Sequence, residues 1–242
     1  MSLKSIGLLL DFDGVLLNNE KINEKIEHRA AKFVGKKMHI SESSARTLNR
    51  KHYKKYGHSV YMLNHFFKKR GANAMVTLEE FNTYLYQRDF AQECCTLINH
   101  KDKRLFSHWM YAIETLRKKN LVDEVCIFSN SPRIWMTDSL QYMDEAYSDQ
   151  IEAIISVPEK YDDLLKPNKS VYTAFENDKA HIDKIVFVDD NITNLQHDPW
   201  INILYTPHTQ QISKEKTCDD ETTITISHPH DVVYNIIYHC LK

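Results

Sequence analysis

The sequence has no C-x-x-C pair, no apolar run approaching the roughly 18 residues that span a bilayer, and almost no net charge. Each absence removes a class of protein. Five cysteines, Cys94, Cys95, Cys126, Cys218 and Cys240, are an odd number, and two of them are adjacent. Neither a zinc site nor a disulfide framework fits that pattern, and their apolar neighbours predict reduced, buried thiols. A formal net charge of -2 gives no overall pull toward a nucleic acid polymer or an anionic membrane. The local basic run Arg50-Lys51-His52-Tyr53-Lys54-Lys55 is the exception. The first residues lack a signal-peptide core because Asp11 and Asp13 interrupt the apolar stretch, so a cytoplasmic protein is expected. There is no internal repeat and no low-complexity tract. His197, His208, His228, His230 and His239 show no metal-binding spacing, and capping or surface roles are expected for them.

What the sequence does have is short, continuous apolar runs that end in polar clusters. Ile6 to Leu10 ends at Asp11, Val125 to Phe128 ends at Ser129-Asn130-Ser131-Pro132, and Ile185 to Val188 ends at Asp189-Asp190-Asn191. Such runs read as strands buried on both faces, as in a parallel sheet. Weaker candidates are Ile151 to Val157 and Ile201 to Tyr205. Helical patterns, Phe106 to Lys119 and Ser170 to Asn177, alternate with them. The alternation predicts an α/β fold with a mainly parallel sheet and the strand of Asp11 at its centre. Ser213 to Thr223 is polar and reads as a loop; Asp231 to Leu241 reads as a final amphipathic helix.

Residues 18–103 differ. Ile22, Ile26, Ala30 and Phe33 recur at helical spacing, and Thr77 with Glu80 makes a capping-box pattern. The block lies between the first two core strands, so it is expected to be an inserted helical domain. The α/β core would then comprise residues 1–17 and 104–242.

Ligands of open α/β sheets bind beyond the carboxyl ends of the strands. Here those ends carry Asp11 and Asp13, Ser129 and Asn130, and Asp189 and Asp190, with Lys166 between the last two sets. A carboxylate can attack phosphorus, a lysine and a hydroxyl can hold the phosphoryl oxygens, and grouped carboxylates suit Mg²⁺. Singly, each motif is an ordinary turn or helix cap. In this order, each behind a strand, they read as one site.

The set DFDG at Asp11 to Gly14, Ser129 in FSN, Lys166 in LKP and VDDN at Val188 to Asn191 resembles the haloacid dehalogenase superfamily. The resemblance spans Asp11 to Asn191. It implies a Rossmann-like, doubly wound core with the helical insert as a mobile cap. It also implies Asp11 as nucleophile and Asp13 as general acid and base, its backbone carbonyl joining the metal shell. Ser129, Asn130 and Lys166 would hold phosphate. Asp190 would be the main remaining Mg²⁺ ligand, with Asp189 second or bound through water. The dehalogenases lack an acid at the place of Asp13, which favours a phosphatase for a small phosphorylated metabolite, working as a monomer or homodimer. A phosphomutase would use the same residues.

The cap segment Leu48 to Gly57 is similar to that of pyrimidine 5′-nucleotidases, where paired tyrosines precede a glycine. Tyr53, Tyr56 and His58 are thereby substrate candidates, with helix packing the equal alternative. Gly14 and Val15 depart from the Asn and Thr usual in that family. A phosphorylation-dependent receiver would carry its acidic pair first, against the order here. A catalytically idle scaffold is the other rival.

Overall fold

A computed structural model describes residues 5–56, 58–71, 75–207 and 223–240. The chain divides into two compact units, one of Met1–Asn18 with Asn99–Lys242 and one of Asn19–Ile98. Strand β1 (Ile6–Leu10) opens the first unit and is buried along its whole length.

Among the described residues the regular elements of the second unit are all helices: α1 (Glu20–Met38), α2 (Glu42–Tyr56), α3 (Ser59–Lys69), α4 (Leu78–Leu85) and α5 (Arg88–Cys95). Asn19 starts α1 by accepting the N–H groups of Lys21 and Ile22, and His39, in the left-handed region at φ 55°, ends it. The buried stripe of α1 includes Ile22, Ala30, Phe33 and Val34. Phe33 packs edge-on against Phe81 of α4 at 5.2 Å between ring centres. Thr77 does cap α4, accepting the Glu80 N–H at 3.0 Å. The Glu80 carboxylate, however, reaches Lys37 of α1.

The chain then returns to the α/β unit through α6 (His100–Lys118). Its start is a reciprocal capping box, with Asn99 accepting the Lys101 N–H and Asp102 accepting the Asn99 N–H. The helical unit therefore ends at Ile98, and the whole of α6 belongs with the sheet. The remaining elements are β2 (Glu124–Ser129), α7 (Arg133–Met143), β3 (Ala153–Ser156), α8 (Val157–Lys160), α9 (Lys169–Asp178), β4 (Lys184–Asp189), β5 (Ile201–Tyr205), β6 (Thr223–Ile226) and α10 (Asp231–Cys240). Strand β6 was not expected. Residues 208–222, most of the expected loop, lie outside the described residues.

Among the described residues the sheet has six strands, all parallel, in the order β3-β2-β1-β4-β5-β6. This is the doubly wound order, with β1 inside the sheet. Leu9, Cys126, Phe128, Ile185 and Phe187 share a core with Val171, Tyr172 and Phe175 of α9 and with Trp200. Side chains alternate across a strand, so Leu8, Leu10, Val125, Ile127, Val186 and Val188, all fully buried, belong to the opposite face. Burial on both faces accounts for the unbroken apolar runs. At about 1.5–3 kcal/mol for each large aliphatic or aromatic side chain, these strands are the main source of cohesion in the unit.

Cys94, Cys95 and Cys126 are buried, reduced thiols; Cys218 and the Cys240 side chain lie outside the described residues. His197 stacks on Tyr172 at 4.9 Å and bonds Glu176. Among the described residues no helix is long and apolar enough to cross a membrane.

Candidate active site

The doubly wound order reverses between β1 and β4, where the chain leaves one half of the sheet and begins the other. Register places Leu10 opposite Val188, and Asp11 continues the ladder by donating its N–H to the Val188 carbonyl at 2.9 Å. Asp11 and Asp189 are thereby brought side by side at the carboxyl edge, at the switch point where such sheets bind ligands.

Past Asp11 the chain turns tightly. Phe12 is fully buried, and its carbonyl accepts the N–H groups of Leu16 and Leu17, both at 3.0 Å. Gly14 has φ +89°, and a Cβ there would lie 2.1 Å from Asp190 Oδ2. Only glycine permits both that backbone conformation and the close approach of the Asp190 carboxylate.

Lys166 is buried, and its ammonium lies 2.7 Å from Asp189 Oδ2, 3.2 Å from Asp11 Oδ1 and 2.9 Å from the Phe128 carbonyl. Burial alone would favour its neutral form, but the charges of Asp11 and Asp189 outweigh it and raise its pKa. Asn130 fixes the lysine segment, with its amide oxygen accepting the Lys166 N–H at 2.9 Å and its amide nitrogen donating to the Lys166 carbonyl at 3.1 Å. The expected phosphate-side amide is thus engaged with the lysine backbone. Ser129 is buried at the end of β2, and its Oγ accepts the Ser131 N–H at 3.3 Å.

Asp189 has no solvent exposure, and both of its oxygens are occupied by donors. Oδ1 takes the Asn191 N–H at 2.8 Å and the Asn194 amide at 3.1 Å, and Oδ2 takes Lys166 and the same amide at 3.0 Å. Asp190 is open to solvent as a residue. Its carboxylate nevertheless belongs to the group of Asp11, Asp189 and Asp190, whose oxygens all lie within 4.8 Å of one another. Loss of solvent, then the charges of Asp11 and Asp189, push its pKa up to about 7. The Asp189 carboxyl is raised as well, by burial first, with Lys166 opposing.

Among the described residues, three carboxylates share one ammonium. Two like charges at 4 Å repel by about 4 kcal/mol at an effective dielectric constant of about 20. The grouping is short of positive charge, and an all-oxygen donor set of this kind fits a hard divalent cation such as Mg²⁺. Asp11 and Asp190 could hold it. Asp189, saturated by hydrogen bonds, orients Lys166 and is the less available ligand.

Asp13 is half-buried. Ser131 Oγ–H donates to its Oδ2, and the Trp135 indole N–H donates to its Oδ1 at 3.2 Å. Loss of solvent lifts the Asp13 pKa to about 6; the Ser131 bond and the Trp135 bond oppose that rise, and the Asp11 charge adds to it. His58 caps α3, its Nδ1 accepting the Val60 N–H at 3.2 Å, while its ring packs on Phe81 at 4.9 Å. Tyr53 and Tyr56 fall within α2, and their side chains lie outside the described residues.

Ser131, Trp135 and Asn194 also belong to the site, though no motif in the sequence marks them. Their only sequence signal is position, immediately after the second and fourth motifs.

No protein-family model and no curated protein matches the sequence. Solved structures do. A haloacid dehalogenase (HAD) phosphatase from Thermococcus onnurineus superposes with a TM-score of 0.53 at 14% identity, over 96% of this chain and 97% of that one. A HAD-hydrolase from Bacillus subtilis, solved bound to magnesium, gives 0.53 at 14% identity over 96% and 99%. The L-2-haloacid dehalogenase of Xanthobacter autotrophicus gives 0.51 at 10% identity over 96% and 98%. Strand order, switch-point geometry and near-complete coverage agree: the chain has the haloacid dehalogenase fold.

Proposed function

We propose that the protein is a Mg²⁺-dependent phosphatase that hydrolyses a small phosphomonoester through an aspartyl-phosphate on Asp11. The observation that carries this reading is the meeting of Asp11, Asp189, Asp190 and Lys166 at the switch point. Asp13, an acid two residues beyond Asp11 that could protonate a leaving group, favours phosphoester over carbon–halogen chemistry.

In the first step an Asp11 carboxylate oxygen attacks phosphorus in line. The bond from phosphorus to the ester oxygen breaks, and protonated Asp13 gives its proton to that oxygen, releasing an alcohol. In the second step water attacks the acyl-phosphate, its proton passes to Asp13, and inorganic phosphate leaves with Asp11 restored. Lys166 and Ser129 hold the phosphoryl oxygens as charge develops on them. Mg²⁺, held by Asp11, Asp190 and the Asp13 carbonyl, would neutralise part of that charge. Asp189 keeps Lys166 aimed at Asp11.

The test is a phosphatase screen with Mg²⁺ over nucleoside monophosphates, sugar phosphates and small phospho-acids, with Asp11→Asn as the blank. Turnover is expected on at least one substrate, abolished by EDTA and restored by Mg²⁺. A preference for UMP or CMP would support the resemblance to pyrimidine 5′-nucleotidases. Turnover equal to the Asp11→Asn blank on every substrate contradicts the proposal.

A further inference from the structure

Asp13 is gripped by two donors for which the chemistry above has no use. Ser131 reaches Oδ2 and Trp135 reaches Oδ1, so each carboxyl oxygen has its own partner. One donor would leave the carboxyl free to turn about its Cβ–Cγ bond; two donors on different oxygens fix that angle. Each oxygen still keeps a second site for a proton.

The donors are themselves anchored. Trp135 has no exposed surface, lies in the first turn of α7, and packs edge-on against Phe12 at 6.5 Å and 89°. Phe12 is the residue between Asp11 and Asp13 and is fully buried. The entry to α7 is tied down where Arg133 donates its N–H to Glu159 at 2.9 Å. A tryptophan needed only to fill this space would not have to aim its indole N–H at a catalytic carboxyl.

We propose that Ser131 and Trp135 are positioning residues that hold Asp13 in register for proton transfer to the leaving oxygen. The inference rests on the phosphatase reading and adds to it a pair of residues acting through Asp13. Proton donation matters most when the leaving group is a poor one. An alkoxide must be protonated as the bond from phosphorus to the ester oxygen breaks, whereas a nitrophenolate departs as a stable anion. A loosened Asp13 should therefore slow alkyl phosphates and spare nitrophenyl phosphate.

The experiment compares kcat/KM for p-nitrophenyl phosphate with that for the best alkyl phosphomonoester, because this ratio reports the step in which the ester bond breaks. Trp135→Phe removes the N–H and keeps an aromatic ring; Ser131→Ala removes the hydroxyl from a part-exposed position. Each is expected to lower kcat/KM on the alkyl ester about 10-fold, and the pair about 100-fold, within the range general acid catalysis supplies. On p-nitrophenyl phosphate the loss should stay below about 3-fold, with KM unchanged on both substrates. Ser131→Thr should restore the alkyl rate, and Asp13→Asn should show the same selectivity in larger measure. Equal losses on the two esters, or no loss on the alkyl ester, overturn the inference. Should Trp135→Phe fail to fold, Ser131→Ala and its threonine rescue decide the matter alone. Failure of the phosphatase reading is separate, since it shows in the wild-type protein as turnover no greater than that of Asp11→Asn.

Discussion

Gly14→Ala isolates the contribution of one atom to the acidic cluster. A Cβ at this position would stand 2.1 Å from Asp190 Oδ2 and 2.3 Å from its Cγ, at a backbone φ of +89°. The carboxylate must move by about 1 Å to reach ordinary contact distance, and the backbone must relax as well, at a cost of about 1–3 kcal/mol. If Asp190 is a Mg²⁺ ligand, a displacement of that size should weaken the ion about 10- to 100-fold, the range seen when a ligand's support is removed. Titration calorimetry with Mg²⁺ alone reads this directly, and thermal unfolding confirms that the variant is folded. Gly71→Ala is the control, because Gly71 also has positive φ, +71°, but has nothing within 4 Å of the added atom. It should cost similar strain and leave Mg²⁺ affinity unchanged. Wild-type Mg²⁺ affinity in folded Gly14→Ala would refute the assignment of Asp190 to the metal.

Two further outcomes follow from buried charge. Lys166→Met should destabilise the α/β unit by about 3–5 kcal/mol by stranding Asp11 and Asp189, and Lys166→Met with Asp189→Asn should be less unstable than the single variant; additive losses in denaturant melts would contradict the pairing. For His58, burial lowers the pKa from 6.5 to about 4, so the folded protein keeps a neutral ring while the unfolded chain takes up a proton below pH 6.5. Stability should therefore fall as pH drops from about 6.5 to about 4, by about 3 kcal/mol at the acid limit, and His58→Asn, which keeps a capping oxygen without a titrating ring, should flatten that slope. An unchanged slope in His58→Asn would show that another group titrates.

The sheet and the strand-end residues were legible in the sequence because of a single physical fact. Strands covered on both faces must be apolar throughout, so Leu8-Leu9-Leu10 and Val186-Phe187-Val188 stand out, and the first polar residues after them mark the carboxyl edge. Strand β6 escaped because Thr223-Ile224-Thr225-Ile226 is short, and only Ile226 of it is buried. The boundary of the helical unit escaped because its marker is the reciprocal pair of Asn99 and Asp102, a pattern less conspicuous than Thr77 with Glu80. Asn194, Ser131 and Trp135 could not be assigned to particular carboxylates from the sequence. Which donor meets which acid depends on how the turns after β2 and β4 fold, and no periodicity encodes that. His58 illustrates the same limit: an imidazole after a glycine suits substrate stacking or helix capping equally, and in the structure its Nδ1 caps α3.

In the proposed reaction, phosphate passes through a covalent bond to Asp11. Acid quenching during turnover of a phosphomonoester, followed by peptide mapping, is its most direct test. Phosphate is expected on the peptide containing Asp11 in the wild-type protein and none in Asp11→Asn. Phosphate trapped on a different residue, or undiminished turnover in Asp11→Asn, would contradict it.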